Sequence, residues 1–362
     1  MHQDIASKEP DKHRRIFQAV FSIVVVVAIF GFALPKFADF SQVWAVIGAM
    51  TWVEIGTLVL VAAWNIATYW LVMIAALPGS NLWQAMKVNQ TSTAVANTIP
   101  GGGAIGIGVT YAMYSTYGFS NTEISLSVLV SGIWNNFVKL GMPVIALALL
   151  AFQGDVTPAL TTASLIGVAV LIGAVILFAL ILRSAVYAQA FGERLGRVVS
   201  ALRKIVRRPP VSLREPVARF RTDAIDLLKR RWLALTAATM VSHFSLYLVL
   251  LVTLRNVGVS EAETSWIQVL AVFAFVRLIS ALPITPGGVG VVELGLTAGL
   301  VTAGGPEAQV VAAVLVHRFL TWALPIGFGL VAYLRWKAGA EERRRRAQER
   351  QSGIAAEEQL AR

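Results

Sequence analysis

Ten apolar segments run through the chain of 362 residues, at approximately 16–34, 51–77, 82–99, 101–118, 124–152, 158–183, 232–255, 262–282, 287–303 and 306–335. A helix needs about 20 apolar residues to cross the hydrocarbon of a bilayer, so the chain holds six to ten membrane segments and little length remains for a soluble catalytic domain. Composition points the same way. Charged residues make up 14% of the chain and hydrophobic ones 56%, whereas a water-soluble domain carries about a quarter charged. Trp52, Trp83, Trp232, Trp266 and Trp336 fall at segment edges, where an amphipathic indole favours the headgroup region. The expected fold class is an all-α polytopic membrane protein.

Four of the ten segments are poor spanning helices. Segment 82–99 carries Gln84, Lys87, Asn89, Gln90 and Asn97 and runs into Pro100-Gly101-Gly102-Gly103, which opens segment 101–118. Segment 262–282 passes through Arg277 to Pro283, and Pro286-Gly287-Gly288-Val289-Gly290 opens segment 287–303. Backbone that is not helical is tolerated at membrane depth only where protein or water covers its polar groups. Two such breaks at corresponding places in the two halves therefore predict two re-entrant helical hairpins, at about 82–118 and 262–303, together with six full transmembrane helices. Walked from an inside N terminus, the first hairpin dips from the inside and the second from the outside, the layout of an inverted repeat.

The charge is unevenly placed. Residues 1–15, 183–231 and 335–362 hold 25 of the 31 Lys and Arg and 12 of the 20 Asp and Glu, a net +13 in two tails and one loop that leaves −2 for the rest of the chain. Basic segments beside long apolar runs follow the positive-inside rule, which is preferred over nucleic-acid binding. The expected organisation is a cytoplasmic N-terminal tail (1–15), a membrane domain (16–338) with a basic cytoplasmic loop (183–231), and a charged cytoplasmic tail (339–362). The run 16–34 lacks a small-x-small cleavage site and reads as an uncleaved first helix rather than a signal peptide. Loop 183–231 reads either as an amphipathic segment offering Arg203, Lys204, Arg207 and Arg208 to anionic headgroups or as solvated helix.

Six basic residues lie outside those segments. Lys36 and Arg255 sit at span ends, where snorkelling explains them; Lys87, Lys139, Arg277 and Arg318 sit within apolar stretches, as does Glu293. A charge at membrane depth is costly and normally faces a cavity or a partner. The helix that starts after Pro286, Gly287 and Gly288, with Gly290 close behind, presents free N–H groups that a phosphate can approach, with Arg277 or Arg318 as counter-charge. Glu293 is a site for an ammonium group or a coupled proton, or a partner for an arginine. An internal ion-pair network of Arg277, Glu293 and Arg318 fits equally well. Asn135 and Lys139 are cavity residues or interhelical partners, and Pro100, Gly101 and Gly102 form the corresponding break of the first half. Lys87 reads more readily as reaching the cytoplasmic edge, Glu54 as interfacial, and His243 and His317 as hydrogen-bonded helix residues.

The glycine runs lack the Lys-Ser/Thr of a nucleotide-binding loop. The sequence shows neither a Ser/His/Asp arrangement nor a carboxylate cluster, and its four histidines and zero cysteines suggest no metal or thiolate site. No cofactor, no metal and no enzymatic activity are expected.

The run Leu282-Pro283-Ile284-Thr285-Pro286-Gly287-Gly288-Val289-Gly290-Val291-Val292-Glu293, followed by Arg318 in the last span, resembles the signature of the lysylphosphatidylglycerol synthase transmembrane (flippase-like) family. That family includes the membrane half of the multiple peptide resistance factor and stand-alone membrane proteins. The resemblance covers roughly 16–338. It implies a helical bundle of the bacterial cytoplasmic membrane with two re-entrant hairpins that moves a lipid or lipid-linked sugar between leaflets. Its partners would be membrane lipids, anionic phospholipid or polyprenyl-linked glycolipid. Where many members carry Pro-Gly-Arg-x-Gly-Glu in the first hairpin, this chain has Pro100-Gly101-Gly102-Gly103-Ala104-Ile105, which shifts the weight to Arg277, Glu293 and Arg318. The soluble aminoacyl-transferase domain of longer members is not expected here, nor is aminoacylation. Two other readings stand beside the transporter: a non-transporting partner of a cell-envelope glycosyltransferase, and a membrane-embedded enzyme acting on a lipid phosphate.

Overall fold

A computed structural model of the chain describes residues 40–98, 102–153, 158–205, 209–280 and 285–339. The expected first span, Lys36, Pro100, Gly101, Pro283 and both charged tails lie outside the described residues. Every regular element among those described is helical: α1 (Phe40–Gly48), α2 (Trp52–Ala76), α3 (Leu82–Thr98), α4 (Gly102–Thr116), α5 (Asn121–Gln153), α6 (Pro158–Arg183), α7 (Ala185–Ile205), α8 (Arg214–Asn256), α9 (Trp266–Ile279), α10 (Val291–Thr302) and α11 (Glu307–Arg318). A π-helical turn, Phe319–Ala323, prolongs α11 into a helix that runs on to Gly339.

Five helices among the described residues are long and apolar enough to cross a membrane: Trp52–Ala76, Asn121–Phe152, Leu165–Arg183, Arg214–Asn256 and Glu307–Gly339. They coincide with five of the six expected spans. None of the apolar window of Leu165–Arg183 is buried inside the protein; a face of Leu165, Ile166, Val170, Ile172 and Ile176 exposed on that scale needs hydrocarbon around it. The chain is an all-α polytopic membrane protein.

Local sequence sets the helix boundaries. Thr51 accepts from the Glu54 N–H at 3.3 Å while the Glu54 carboxylate accepts from the Thr51 N–H at 2.6 Å, a capping box that starts α2. Ser120 with Glu123 does the same for α5, and Ser265 with Gln268 for α9. Each satisfies N–H groups that the first helical turn leaves free. Helix α8 begins 18 residues before the Trp232 boundary expected from hydropathy. Arg, Lys, Ala and Leu are strong helix formers and no Gly or Pro interrupts 217–256, so the helix continues past the end of the apolar run. At about 1.5 Å per residue its 43 residues reach roughly twice the hydrocarbon thickness. Helix α1, which hydropathy does not mark, packs on α11 with Val43 fully buried.

The expected hairpin arms are short helices. Helices α3 and α4 have 17 and 15 residues, α9 and α10 have 14 and 12, all below the usual spanning length of about 20. Each pair packs on itself through glycines of its second arm. A Cβ on Gly102 would sit 2.5 Å from Val95 O and one on Gly106 2.8 Å from Ser92 O, both on α3; a Cβ on Gly295 would meet Val276 at 3.0 Å and one on Gly299 would meet Val272 at 2.5 Å, both on α9. The same Gly-x-x-x-Gly spacing thus closes both hairpins, as small residues do where membrane helices approach closely. The main core gathers α5, α8, α9, α10 and α11 around Met142, Leu250, Phe273, Leu296 and Val314. Helix α2 lies along α8, where Asn65 Nδ2 donates to the Ser242 carbonyl at 3.3 Å.

Candidate functional site

The second Pro-Gly-Gly break is a tight 3-10 turn, Pro286–Gly288. Gly287, Gly288 and Gly290 all have positive φ, at 61°, 67° and 85°, a region that costs an L side chain about 1–2 kcal/mol. Thr285 Oγ1 donates to the Val289 carbonyl at 2.8 Å and fastens the turn. Gly290 then stands at the N-cap of α10 with no side chain to serve the free amides. Glu293, three residues on, reaches back instead: the Gly290 N–H donates to Glu293 Oε2 at 2.7 Å.

The other carboxylate oxygen is used as well. Arg318 Nε donates to Glu293 Oε1 at 2.8 Å, and Arg318 Nη2 donates to the Gly287 carbonyl at 3.0 Å. The side chains are 13% and 3% exposed, respectively. The Arg318 guanidinium also lies 5.6 Å from the centre of the Trp322 ring, one turn further on, where the π-helical turn widens the helix. Arg318, Glu293, Gly287 and Gly290 therefore form a closed network in which the charges and the capping amide satisfy one another.

The broken hairpins meet at this turn. Helix α3 packs on Pro286–Gly288; a Cβ on Gly287 would collide with Trp322 Nε1 and lie 3.1 Å from Asn97 Oδ1. Asn97 and Trp322 were not among the expected site residues. The signals for them were present: Asn97 ends a polar arm three residues before Pro100, and Trp322 stands four residues after Arg318, on the same helical face. Gly102, expected at the site, is buried against the carbonyls of Val95 and Ala96, where it closes the first hairpin.

A second group of charges is not closed. Arg277, in the last turn of α9, lies within electrostatic reach of Tyr69 on α2, Lys139 on α5, His243 on α8 and His317 and Arg318 on α11. Arg277 Nε is buried without a hydrogen-bond partner among the described residues, as are His243 Nε2 and His317 Nδ1. The only ion pairs among the described residues join Arg214 to Glu193, Arg255 to Glu261 and Arg318 to Glu293, so neither Arg277 nor Lys139 has a carboxylate there. Lys139 is half-buried and Asn135, also half-buried, stands one turn before it on the same face. Pro143 lies within α5 and has no N–H to donate to the carbonyl of Lys139, four residues earlier. Five helices thus bring two cations without counter-charge beside unpaired polar groups, a setting that can hold an anion. No group of three or more His, Cys, Asp or Glu placed to hold a metal occurs among the described residues.

Of the remaining charges, Arg255 does more than reach an interface. It pairs with Glu261 and donates to the carbonyls of Val259 and Thr264, both at 2.9 Å, which fixes the loop between α8 and α9. Glu54 caps α2, and its carbonyl accepts from Asn256 Nδ2 at 3.1 Å.

The model of the family described as "Lysylphosphatidylglycerol synthase TM region" matches residues 19–329. No curated protein matches the chain.

Proposed function

The chain belongs to the lysylphosphatidylglycerol synthase TM region family, and from that membership we propose that it is a lipid transporter rather than an enzyme, moving a phospholipid or a polyprenyl-phosphate-linked glycolipid between the leaflets of a bacterial cytoplasmic membrane. Both termini and the basic loop 183–231 face the cytoplasm, and the two hairpins enter the bilayer from opposite faces. The observation that carries the reading is the pair Arg277 and Lys139, two cations among the membrane helices with no carboxylate partner in the described residues. Holding such charges in a membrane interior costs folding free energy, and an anionic headgroup supplies the missing counter-charge.

In this account a lipid phosphate accepts hydrogen bonds from the Arg277 guanidinium and the Lys139 ammonium, with Asn135 alongside, while the acyl or prenyl tails remain in the surrounding lipid. The contact among Asn97, Gly287 and Trp322 separates the two sides of the pathway. Arg318 and Glu293 keep the second hairpin tip in shape, and the two halves rock against each other about that tip.

The test is leaflet exchange in proteoliposomes with fluorescent reporters that differ in headgroup. Transport predicts protein-dependent exchange of at least one phosphate-bearing reporter. No exchange above protein-free liposomes for any phospholipid or polyprenyl phosphate, with co-purification of a cell-envelope glycosyltransferase, would replace this reading by that of a non-transporting partner.

A further inference from the structure

Helix α7 follows the spanning helix α6 after a single non-helical residue, Ser184, so it starts where that helix leaves the hydrocarbon. It has three distinct faces. One packs on the chain leading into α8: a Cβ on Gly192 would sit 2.5 Å from Leu213 O and one on Gly196 3.1 Å from Val211 O. Ser200 Oγ receives the Val211 N–H at 3.0 Å, and Arg214 bonds Gln189 at 3.0 Å and pairs with Glu193 at 3.1 Å. The helix is held at a fixed rotation by these contacts.

That rotation leaves Tyr187, Leu195 and Val198 exposed, at 54%, 37% and 58%, with Phe191 half-buried between them. Their spacing of four, four and three residues makes one continuous apolar stripe. The third face carries Arg197 and Lys204, and Arg194 lies on the border between it and the stripe, all three exposed. An apolar stripe beside arginines, on a helix tethered to the end of a membrane span, matches a helix lying in the headgroup plane.

We propose that α7 docks on the surface of the leaflet into which α6 emerges, with Tyr187, Phe191, Leu195 and Val198 inserted below the headgroups and Arg194 and Arg197 bound to anionic phospholipid. The occupant is a lipid surface because α7 follows directly on the lipid-exposed helix α6 and because residues 183–231 carry 13 basic residues against 4 acidic ones. A bilayer rich in anionic lipid thereby holds α7, and through Gly192 and Gly196 the chain leading into α8, against the membrane.

The chain has no cysteine, so single-cysteine probes report unambiguously. In the full-length protein, Val198→Cys and, on the charged face, Ala190→Cys are labelled with an environment-sensitive fluorophore and reconstituted in phosphatidylcholine with or without phosphatidylglycerol. The proposal expects the Val198 label, in the presence of phosphatidylglycerol, to be quenched by nitroxide lipids and shielded from iodide, with the Ala190 label behaving oppositely. Without phosphatidylglycerol, or with Arg194→Gln and Arg197→Gln, the ratio of docked to free helix falls, by about fivefold per arginine removed. A Val198 label as open to iodide as the Ala190 label in both bilayers overturns the proposal. So does one shielded from both quenchers, which means a protein surface covers it, and so does docking that ignores phosphatidylglycerol.

Discussion

Arg318 Nε donates to Glu293 Oε1 at 2.8 Å, and the opposite oxygen of the same carboxylate accepts the Gly290 N–H at 2.7 Å, so one buried side chain both pairs an arginine and caps a helix. This relationship separates the buried charges into two classes with opposite expected behaviour. Glu293 and Arg318 satisfy each other, and removing either leaves a buried charge behind. Arg277 and Lys139 have no such partner among the described residues, and their removal relieves a cost.

For the first class, Glu293→Ala is expected to destabilise the protein by about 3–5 kcal/mol, because it strands the Arg318 guanidinium in a poorly solvated site. Glu293→Gln keeps an acceptor for Gly290 N–H and should cost less. Thermal unfolding in detergent checks both, and the double variant Glu293→Ala with Arg318→Ala should recover part of the loss. Unchanged melting with transport lost would instead assign Glu293 to proton or cation coupling.

For the second class, Arg277→Met and Lys139→Met are expected to melt no lower than wild type, and up to about 2 kcal/mol higher, since burying an uncompensated charge opposes folding. Phospholipid bound after purification, measured by lipid mass spectrometry, should fall in both. A melting temperature well below that of wild type in either would place these cations in a structural network.

Gly287→Ala combines a positive-φ strain with a steric collision against Trp322 Nε1. The backbone part is worth about 1–2 kcal/mol, and the collision adds to it. Trp322→Ala removes the collision together with the ring's own contact to the Arg318 guanidinium, so the double variant is expected to lose less stability than the sum of the two single losses. A fully additive result would show that the ring and the turn do not touch.

The paired glycines of the hairpins offer a matched comparison. Gly106→Val and Gly299→Val each place a branched side chain where a Cβ alone would lie 2.8 Å from Ser92 O or 2.5 Å from Val272. Both are expected to lower stability by several kcal/mol or to prevent accumulation of folded protein, while Gly108→Val, at a position with open space around it, should be tolerated. Expression and size-exclusion profiles of the three variants decide the point.

Much of this architecture is legible in the sequence because membrane depth leaves few options for an apolar run or a Pro-Gly-Gly break. Trp52, Trp232 and Trp266 mark edges of apolar runs, and the charges Arg277, Glu293 and Arg318 stand out against apolar neighbours without any structure. Pairing was the part that sequence left open. Arg277 and Arg318 are equivalent partners for Glu293 on paper, and only the placement of α11 against α10 brings Arg318 to the carboxylate. Asn97 is one polar residue among many on α3 until the fold sets it against Gly287. Hydropathy likewise stopped α8 at Trp232, because it registers the solvent around a helix and is blind to helix propensity in the charged turns before it.

The central claim, that Arg277 and Lys139 form the headgroup site, is tested most directly by leaflet exchange of fluorescent phosphatidylglycerol in proteoliposomes containing wild type or Arg277→Met with Lys139→Met, beside a glycolipid reporter without phosphate. The account predicts protein-dependent exchange of phosphatidylglycerol by wild type, little of the phosphate-free glycolipid, and loss of the phosphatidylglycerol exchange in a double variant that remains folded. Undiminished phosphatidylglycerol exchange by that variant would contradict it.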